Sequence, residues 1–173
     1  MDLQPTLTGD LLLLRPLRHE DFEALYLAAS DPLIWELHPQ QDRYTRPVFQ
    51  KYFDSGIELK GAFAIIDRKT GEIIGSSRYH DYDPVGKSVE IGYTFLTRAY
   101  WGGEYNRELK GLMLEHAYKW VDVARFFIGG NNFRSQRAVE KIGAIRVGSK
   151  SDERGVTLQY NLPRELADSI LKM

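Results

Sequence analysis

The chain of 173 residues contains no cysteine. Disulfides, thiolate zinc sites and a cysteine nucleophile are therefore excluded. It also lacks a charge excess of either sign: 23 lysines and arginines stand against 24 aspartates and glutamates, for a formal net charge of -1. A general nucleic-acid binder carries a basic excess, so the balance argues against one, although a local basic patch stays compatible with it. No apolar run approaches the roughly eighteen residues that a membrane-spanning helix needs. Met1 to Thr8 shows no basic segment followed by an apolar stretch, so a signal peptide is not expected. Repeats and low-complexity tracts are missing. No two histidines are close in sequence and the carboxylates are scattered, so the spacing of a metal site is absent. A cytoplasmic location without membrane attachment fits these absences. Hydrophobic residues make up 43% and charged residues 27%, as in a globular protein. The length suits one domain over residues 1–173 with a sizeable core.

The pattern of elements starts with Leu11–Leu14, an apolar run bounded by Gly9 and Pro16 that reads as a buried strand. His19–Ala29 has helical spacing, with Phe22, Leu25, Tyr26 and Ala29 on one side, and Asp31-Pro32 ends it. Leu33–Tyr44 is irregular. Arg46–Leu59 predicts a second helix with Pro47 in its first turn. Strands follow at Ala62–Asp67, Ile73–Tyr79 and Val89–Leu96. In the last, Val89, Ile91, Tyr93 and Phe95 should share one face and Glu90, Gly92, Thr94 and Leu96 the other. Leu109, Leu112, Met113, His116, Ala117, Trp120 and Val121 then form one apolar helical stripe. A strand at Arg125–Gly129 leads to a helix over Asn132–Ile142, with Asn132 as N-cap and Gly143 as stop. Ile145–Ser149 and Val156–Leu162 close the chain. A meander followed by a βαβ unit implies a mixed sheet.

Two segments can carry chemistry. In the first, a strand ending at Leu96 and Thr97 passes through Tyr100-Trp101-Gly102-Gly103 into a long helix. A helix start offers unpaired N–H groups and the positive end of the dipole, which attract phosphate. Arg107 and Lys110 can add positive charge. In the second, Gly129-Gly130 leads into a helix opened by Asn132, with Ser135 three residues on. Taken alone, the first also reads as a plain turn and the second as a plain capping arrangement.

Together the segments resemble the GCN5-related N-acetyltransferases. The resemblance rests on Glu90-Ile91-Gly92-Tyr93, on the Tyr100-Trp101-Gly102 turn with its helix, and on Asn132-x-x-Ser135-x-x-Ala138-x-x-Lys141-x-Gly143. It is nearest to the branch that includes the ribosomal-protein N-terminal acetyltransferases. It implies an α/β fold of the α+β kind, with a mixed, mostly antiparallel sheet of about seven strands flanked by helices. The family's usual pyrophosphate loop, Gln/Arg-x-x-Gly-x-Gly/Ala, falls on Trp101, Glu104 and Asn106, and none of the three matches. A variant, Trp-Gly-x-x-x-Asn-x-x-x-Lys, does match through Trp101, Gly102, Asn106 and Lys110.

The resemblance implies acetyl-CoA as cofactor and an amine acceptor, either a small molecule or a peptide N-terminus. It places the cofactor at Phe95, Leu96, Thr97, Trp101, Gly102, Gly103, Tyr105, Asn106, Arg107, Lys110, Asn132 and Ser135. It makes Glu90 the candidate base and Ser135 the candidate acid, because Val139 stands where many relatives carry a tyrosine. Asn132 would bond the pantetheine or a water, and a backbone N–H near Phe95 or Leu96 would hold the oxyanion. Trp35, Leu37 and His38 would wall the acceptor cleft, and relatives are often homodimers. His116 reads as a packed core histidine, and His19 and His38 as surface residues. Arg78–Asp83 reads either as part of the cleft or as a solvated hairpin end. A non-catalytic acyl-CoA-binding module and an unrelated phosphate binder are the alternatives.

Overall fold

In the computed structural model, the described residues are 1–167 and Ile170. The domain expected over 1–173 therefore ends in residues 168–169 and 171–173, which lie outside them. The strands are β1 (Leu7–Thr8), β2 (Leu12–Pro16), β3 (Ala62–Asp67), β4 (Ile73–Asp83), β5 (Ser88–Leu96), β6 (Val123–Gly129), β7 (Ile145–Asp152) and β8 (Gly155–Pro163). They form one sheet in the order β1-β2-β3-β4-β5-β6-β8-β7. Neighbours are antiparallel except β5 and β6. The strand beyond the expected seven is β1, whose two residues are too short to show alternation.

Among the described residues four α-helices cover the sheet: α1 (Phe22–Ala29), α2 (Arg46–Glu58), α3 (Glu104–Ala117) and α4 (Phe133–Glu140). On one face Leu25 and Ala29 of α1 and Phe49, Tyr52 and Phe53 of α2 pack with Trp35, Ala62, Ala64 and Phe95. On the other, Leu109, Met113, Leu114 and Ala117 of α3 and Val139 of α4 pack with Leu12, Phe63, Val89, Ile91 and Phe126. Complete burial of Leu109 or Leu114 contributes about 1.5–3 kcal/mol each.

The apolar stripe of α3 differs from the expected one. The helix stops at Ala117, because the chain must turn there to enter β6. Trp120 lies beyond the turn and is 54% exposed. Lys110 and Leu114 are buried instead, and Leu112 is half-buried. His116 is likewise only half-buried, at the margin, with Nε2 2.9 Å from the Asp2 carbonyl oxygen.

Helix α3 also anchors the start of β2. The Glu108 carboxylate accepts from the backbone N–H groups of Asp10 at 2.7 Å, Leu11 at 3.0 Å and Leu12 at 2.7 Å. Glu108→Ala strands these donors, and a loss of roughly 2–3 kcal/mol is expected in urea unfolding, because each is a charge-assisted bond at a partly dry site. An unchanged midpoint would show that water replaces the carboxylate without cost.

Strand β5 carries the feature that shapes the site. Gly92 lies opposite Arg78 and Phe95 opposite Ser76, so Tyr93 and Thr94 together oppose Ser77. This is a β-bulge, and Tyr93 takes φ of 53° there. The extra residue reverses the alternation. Val89 and Ile91 share a face as expected, the one packed with α3, but beyond the bulge Leu96 joins them and Phe95 turns to α2. The face assigned to Phe95 and Leu96 from alternation is thus corrected by the bulge. The Tyr52 hydroxyl donates to the Tyr93 carbonyl at 2.7 Å and holds the strained residue in place.

Candidate active site

Strands β5 and β6 pair only from Ser88/Val123 to Glu90/Arg125. Beyond that point β5 runs on to Leu96, while β6 runs on to Gly129 paired to β8 alone. The two parallel strands therefore part into a wedge that opens toward their C-terminal ends. Ligands of sheets with parallel strands bind at such a parting.

Glu90 stands where the wedge begins, on the α1/α2 face. Its side chain is 14% exposed. Burial pushes its carboxyl above the usual carboxylate range, with His80 opposing that shift and Asp81 adding to it. His80 lies directly across on β4, with Nδ1 3.7 Å from Glu90 Oε2. That Nδ1 is buried and has no hydrogen-bond partner. The fold thus gathers His80, Asp81 and Glu90 with ligand-type atoms within 4.8 Å of one another, a grouping that sequence spacing hides. Arg125 stands beside them: Nη2 donates to the Asp81 carbonyl at 2.7 Å. Sequence reading passed over His80 as one member of the Arg78–Asp83 cluster. Counting pairs back from Asp83 and Ser88 sets Asp81 opposite Glu90; a register shift between His80 and Asp83 brings His80 there instead.

At the mouth of the wedge, Gly102 has φ of 71° and Gly103 is the N-cap of α3. No side chain caps this helix start, and a Cβ at either glycine would meet nothing within 4 Å. The first N–H groups of α3, at Glu104, Tyr105 and Asn106, form an open cradle that suits a pyrophosphate. The Glu104 side chain is exposed, and Asn106 and Tyr105 are half-buried. Thr97 Oγ1 donates to the Ile74 carbonyl at 3.1 Å and ties the strand end down. Trp101 Nε1 donates to the Leu96 carbonyl at 2.8 Å, and the Arg134 guanidinium stacks on the indole at 3.9 Å while reaching Glu36 at 2.9 Å. This clasp links the Trp101–Gly103 turn, α4 and the segment before α2.

Lys110 lies one turn deeper than the cradle. It is buried inside the wedge, with Nζ 3.3 Å from Thr94 Oγ1 and 5.4 Å from the Phe126 ring centre. Thr94 Oγ1 also bonds Ser77 Oγ at 2.8 Å. Burial lowers the Lys110 pKa to about 8. Arg107 is exposed on the first turn of α3.

Helix α4 starts as expected. Asn132 Oδ1 accepts from the Ser135 backbone N–H at 3.2 Å, and Gly143, with φ of 96°, ends the segment. The Ser135 side chain is half-buried.

Arg78 and Tyr79 are almost completely buried rather than placed at a solvated hairpin end. Of the expected wall, Trp35 is buried and its indole donates to the Ala29 carbonyl at 2.8 Å. His38 is half-buried against Trp35, not an open surface residue. Burial and the neighbouring Arg43 lower its pKa to about 3. Arg43, which sequence reading did not single out, packs over Trp35 and Tyr52. A cavity of about 400 Å³ opens here between His38, Gly130, Asn131 and Arg154.

A parted sheet with a bulged strand and an uncapped helix at its mouth defines an acyltransferase domain. The chain belongs to the GNAT acetyltransferases: the model of the acetyltransferase (GNAT) domain matches residues 12–145. Among solved structures it is similar to a GCN5-related N-acetyltransferase from Brucella melitensis, at 17% identity and TM-score 0.84, covering 98% of this chain and 83% of that one. It is similar to the spermidine N-acetyltransferase from Vibrio cholerae in complex with CoA and spermine, at 13% identity and TM-score 0.71, covering 92% and 99%. The ribosomal-protein-S5-alanine acetyltransferase from Vibrio fischeri aligns at 13% identity and TM-score 0.70, covering 94% and 98%. At these identities the likeness is one of fold. No match emerges among curated protein sequences. Among the described residues, no helix is long and apolar enough to cross a membrane.

Proposed function

We propose that this chain is an acetyl-CoA-dependent N-acetyltransferase acting on a primary amine. The observation that carries the reading is the wedge between β5 and β6, with Glu90 at its apex and the uncapped start of α3 at its mouth. Acetyl-CoA supplies a thioester carbonyl that the amine attacks directly. The N–H groups of Glu104, Tyr105 and Asn106 hold the pyrophosphate, with the Gly102-Gly103 turn letting it approach and Arg107 adding charge. Asn106 and Lys110 share the holding, Lys110 from inside the wedge. Trp101 and Tyr105 flank the turn, and Asn132 bonds the pantetheine.

Glu90, with His80 across from it, takes the proton from the ammonium through water and leaves the amine free to attack. A backbone N–H beside the bulge, at Phe95 or Leu96, receives the negative charge that develops on the carbonyl oxygen. As the C–S bond breaks, the Ser135 hydroxyl gives its proton to the leaving thiolate and regains one through water from the nitrogen, which sheds its surplus proton as the amide forms. The products are an amide and free CoA.

Acetyl-CoA is expected to raise the melting temperature, and thiol release is expected with some member of a broad amine panel. Failure to bind acetyl-CoA at millimolar concentration would remove the reading. Binding without thiol release from any amine would leave a non-catalytic acyl-CoA-binding module.

A further inference from the structure

We infer that the amine acceptor also carries an anionic group, a carboxylate or a phosphate, received by Arg43 and Arg154; this rests on the acetyl-transfer reading above. Two separate features support it: two guanidinium groups, buried Arg78 and half-buried Arg43, without anionic partners, and a cavity whose lining holds no carboxylate.

The guanidinium groups lie on the α1/α2 face in a stack with aromatic rings. Arg43 sits 5.1 Å from the centre of the Trp35 ring and 4.9 Å from that of Tyr52. Arg78 sits 4.5 Å from Tyr52 and 4.4 Å from Tyr93. The Tyr93 ring in turn lies 5.9 Å from His80, the partner of Glu90. The stack thus runs from the candidate base to the edge of the cavity.

Three arginines of the site region have a carboxylate nearby. Arg134 meets Glu36, Arg98 meets Asp31 and Arg125 lies near Asp81. Arg43 and Arg78 do not: among the described residues no carboxylate lies within 4.0 Å of either. Arg78 donates to Ser55 Oγ at 2.9 Å and to the Tyr52 carbonyl, but its buried Nε has no partner. Arg43 has one polar contact, His38 Nε2 at 3.3 Å. Taking a guanidinium out of water without an anion is costly, and aromatic faces offset only part of that cost. Two such groups against the same Tyr52 ring also repel each other. An anion arriving with the acceptor relieves both penalties, and a polycationic acceptor adds to them.

The cavity beside them agrees. Its polar lining is His38, Gln41, Asn131, Arg154 and the backbone of Gly129 and Gly130. Arg154 stands exposed at the tip of the β7–β8 hairpin without an ion pair among the described residues. His38 joins the two features, since its ring lines the cavity and its Nε2 touches Arg43. With its pKa lowered to about 3, His38 stays neutral at working pH and contributes a hydrogen-bonding group, not a charge. The acidic residues flanking the lining in sequence, Glu36, Asp42, Asp152 and Glu153, are exposed; Glu36 pairs with Arg134, Asp42 bonds Gln40 and Asp152 accepts from the Arg154 N–H at 2.8 Å.

The test measures thiol release at saturating acetyl-CoA with matched amines. One arm uses amino carboxylates of increasing spacing between amine and carboxylate, the second aminoalkyl phosphates, the third the corresponding amides and alcohols, the fourth spermidine. One of the two anionic arms is expected to show kcat/KM at least about tenfold above the third and fourth, and which arm it is identifies the anion. Arg43→Gln and Arg154→Ala are each expected to raise KM for the anionic amine about tenfold with kcat within about twofold, leaving the matched amide unchanged. Should Arg43→Gln fail to fold, Arg154→Ala and Arg154→Glu carry the test from the exposed hairpin tip, with the glutamate expected to act more strongly. Amides or spermidine used as well as the anionic amines overturn the anionic acceptor and leave acetyl transfer standing. Thiol release from no amine at all overturns both.

Discussion

Glu90→Gln is expected to lower kcat about 10²–10³-fold while acetyl-CoA still binds, because a positioned general base contributes on that order. The carboxylate sits at the apex of the wedge and is held by the β4–β5 pairing opposite His80. Its pH dependence follows from its surroundings. Burial raises its pKa, so the deprotonated form that accepts a proton is present above the raised value and is lost as pH falls through it. The acid limb of kcat/KM should therefore lie above the ordinary carboxylate range, and Glu90→Gln should remove that limb. His80 pulls the Glu90 pKa down, so His80→Asn should move the limb to higher pH. A glutamine variant with unchanged kcat and an unchanged limb would take the base role from Glu90.

Lys110→Met is expected to stabilise the fold and weaken the acetyl-CoA site. The lysine is buried in the wedge with one hydroxyl partner, and its pKa falls from 10.5 to about 8. A depressed lysine pKa means the folded state binds fewer protons than the unfolded chain between those two values. Stability from this group therefore rises as pH goes from about 8 toward 10.5, and below 8 the burial penalty is present in full. At pH 7 the variant should gain about 3 kcal/mol in denaturant unfolding, an order-of-magnitude figure from the shift. The melting temperature should rise by roughly 6–10 °C, as expected for a chain of this size. The gain should disappear near pH 10.5, and acetyl-CoA affinity should drop about tenfold or more from the loss of a buried cation. A gain over the unsubstituted chain that is no larger at pH 7 than at pH 10.5 would show that Lys110 carries no burial penalty. Keeping a charge at that cost is the pattern of a functional site.

Much of the framework was legible from local signals. Pro47 at the start of α2 and Asn132 as the cap of α4 stand where near-neighbour chemistry puts them, whereas α4 stops at Glu140 and a turn separates it from Gly143. Strand β3 has the bounds its apolar run predicts. The ends of β4 and β7 were less legible: both strands run on through polar residues, to Asp83 and Asp152, because hairpin pairing continues after the apolar signal stops. The α3 stripe failed at Trp120 for a different reason. Periodicity continued past a turn that the entry into β6 imposes.

At the site, the sequence by itself determined which residues stand at the end of β5 and at the starts of α3 and α4. Strand-to-helix turns, glycines and caps are written in consecutive residues. Only the tertiary structure decided which of them meet. Alternation along β5 sent Phe95 and Leu96 to the wrong faces, because a bulge depends on register against β4. His80 reached Glu90, Lys110 entered the wedge, and Arg43 and Arg78 came to share the Tyr52 ring through pairings between distant segments. Side-chain partners across a sheet are set by register and by which face each helix covers, and neither is a property of any one segment.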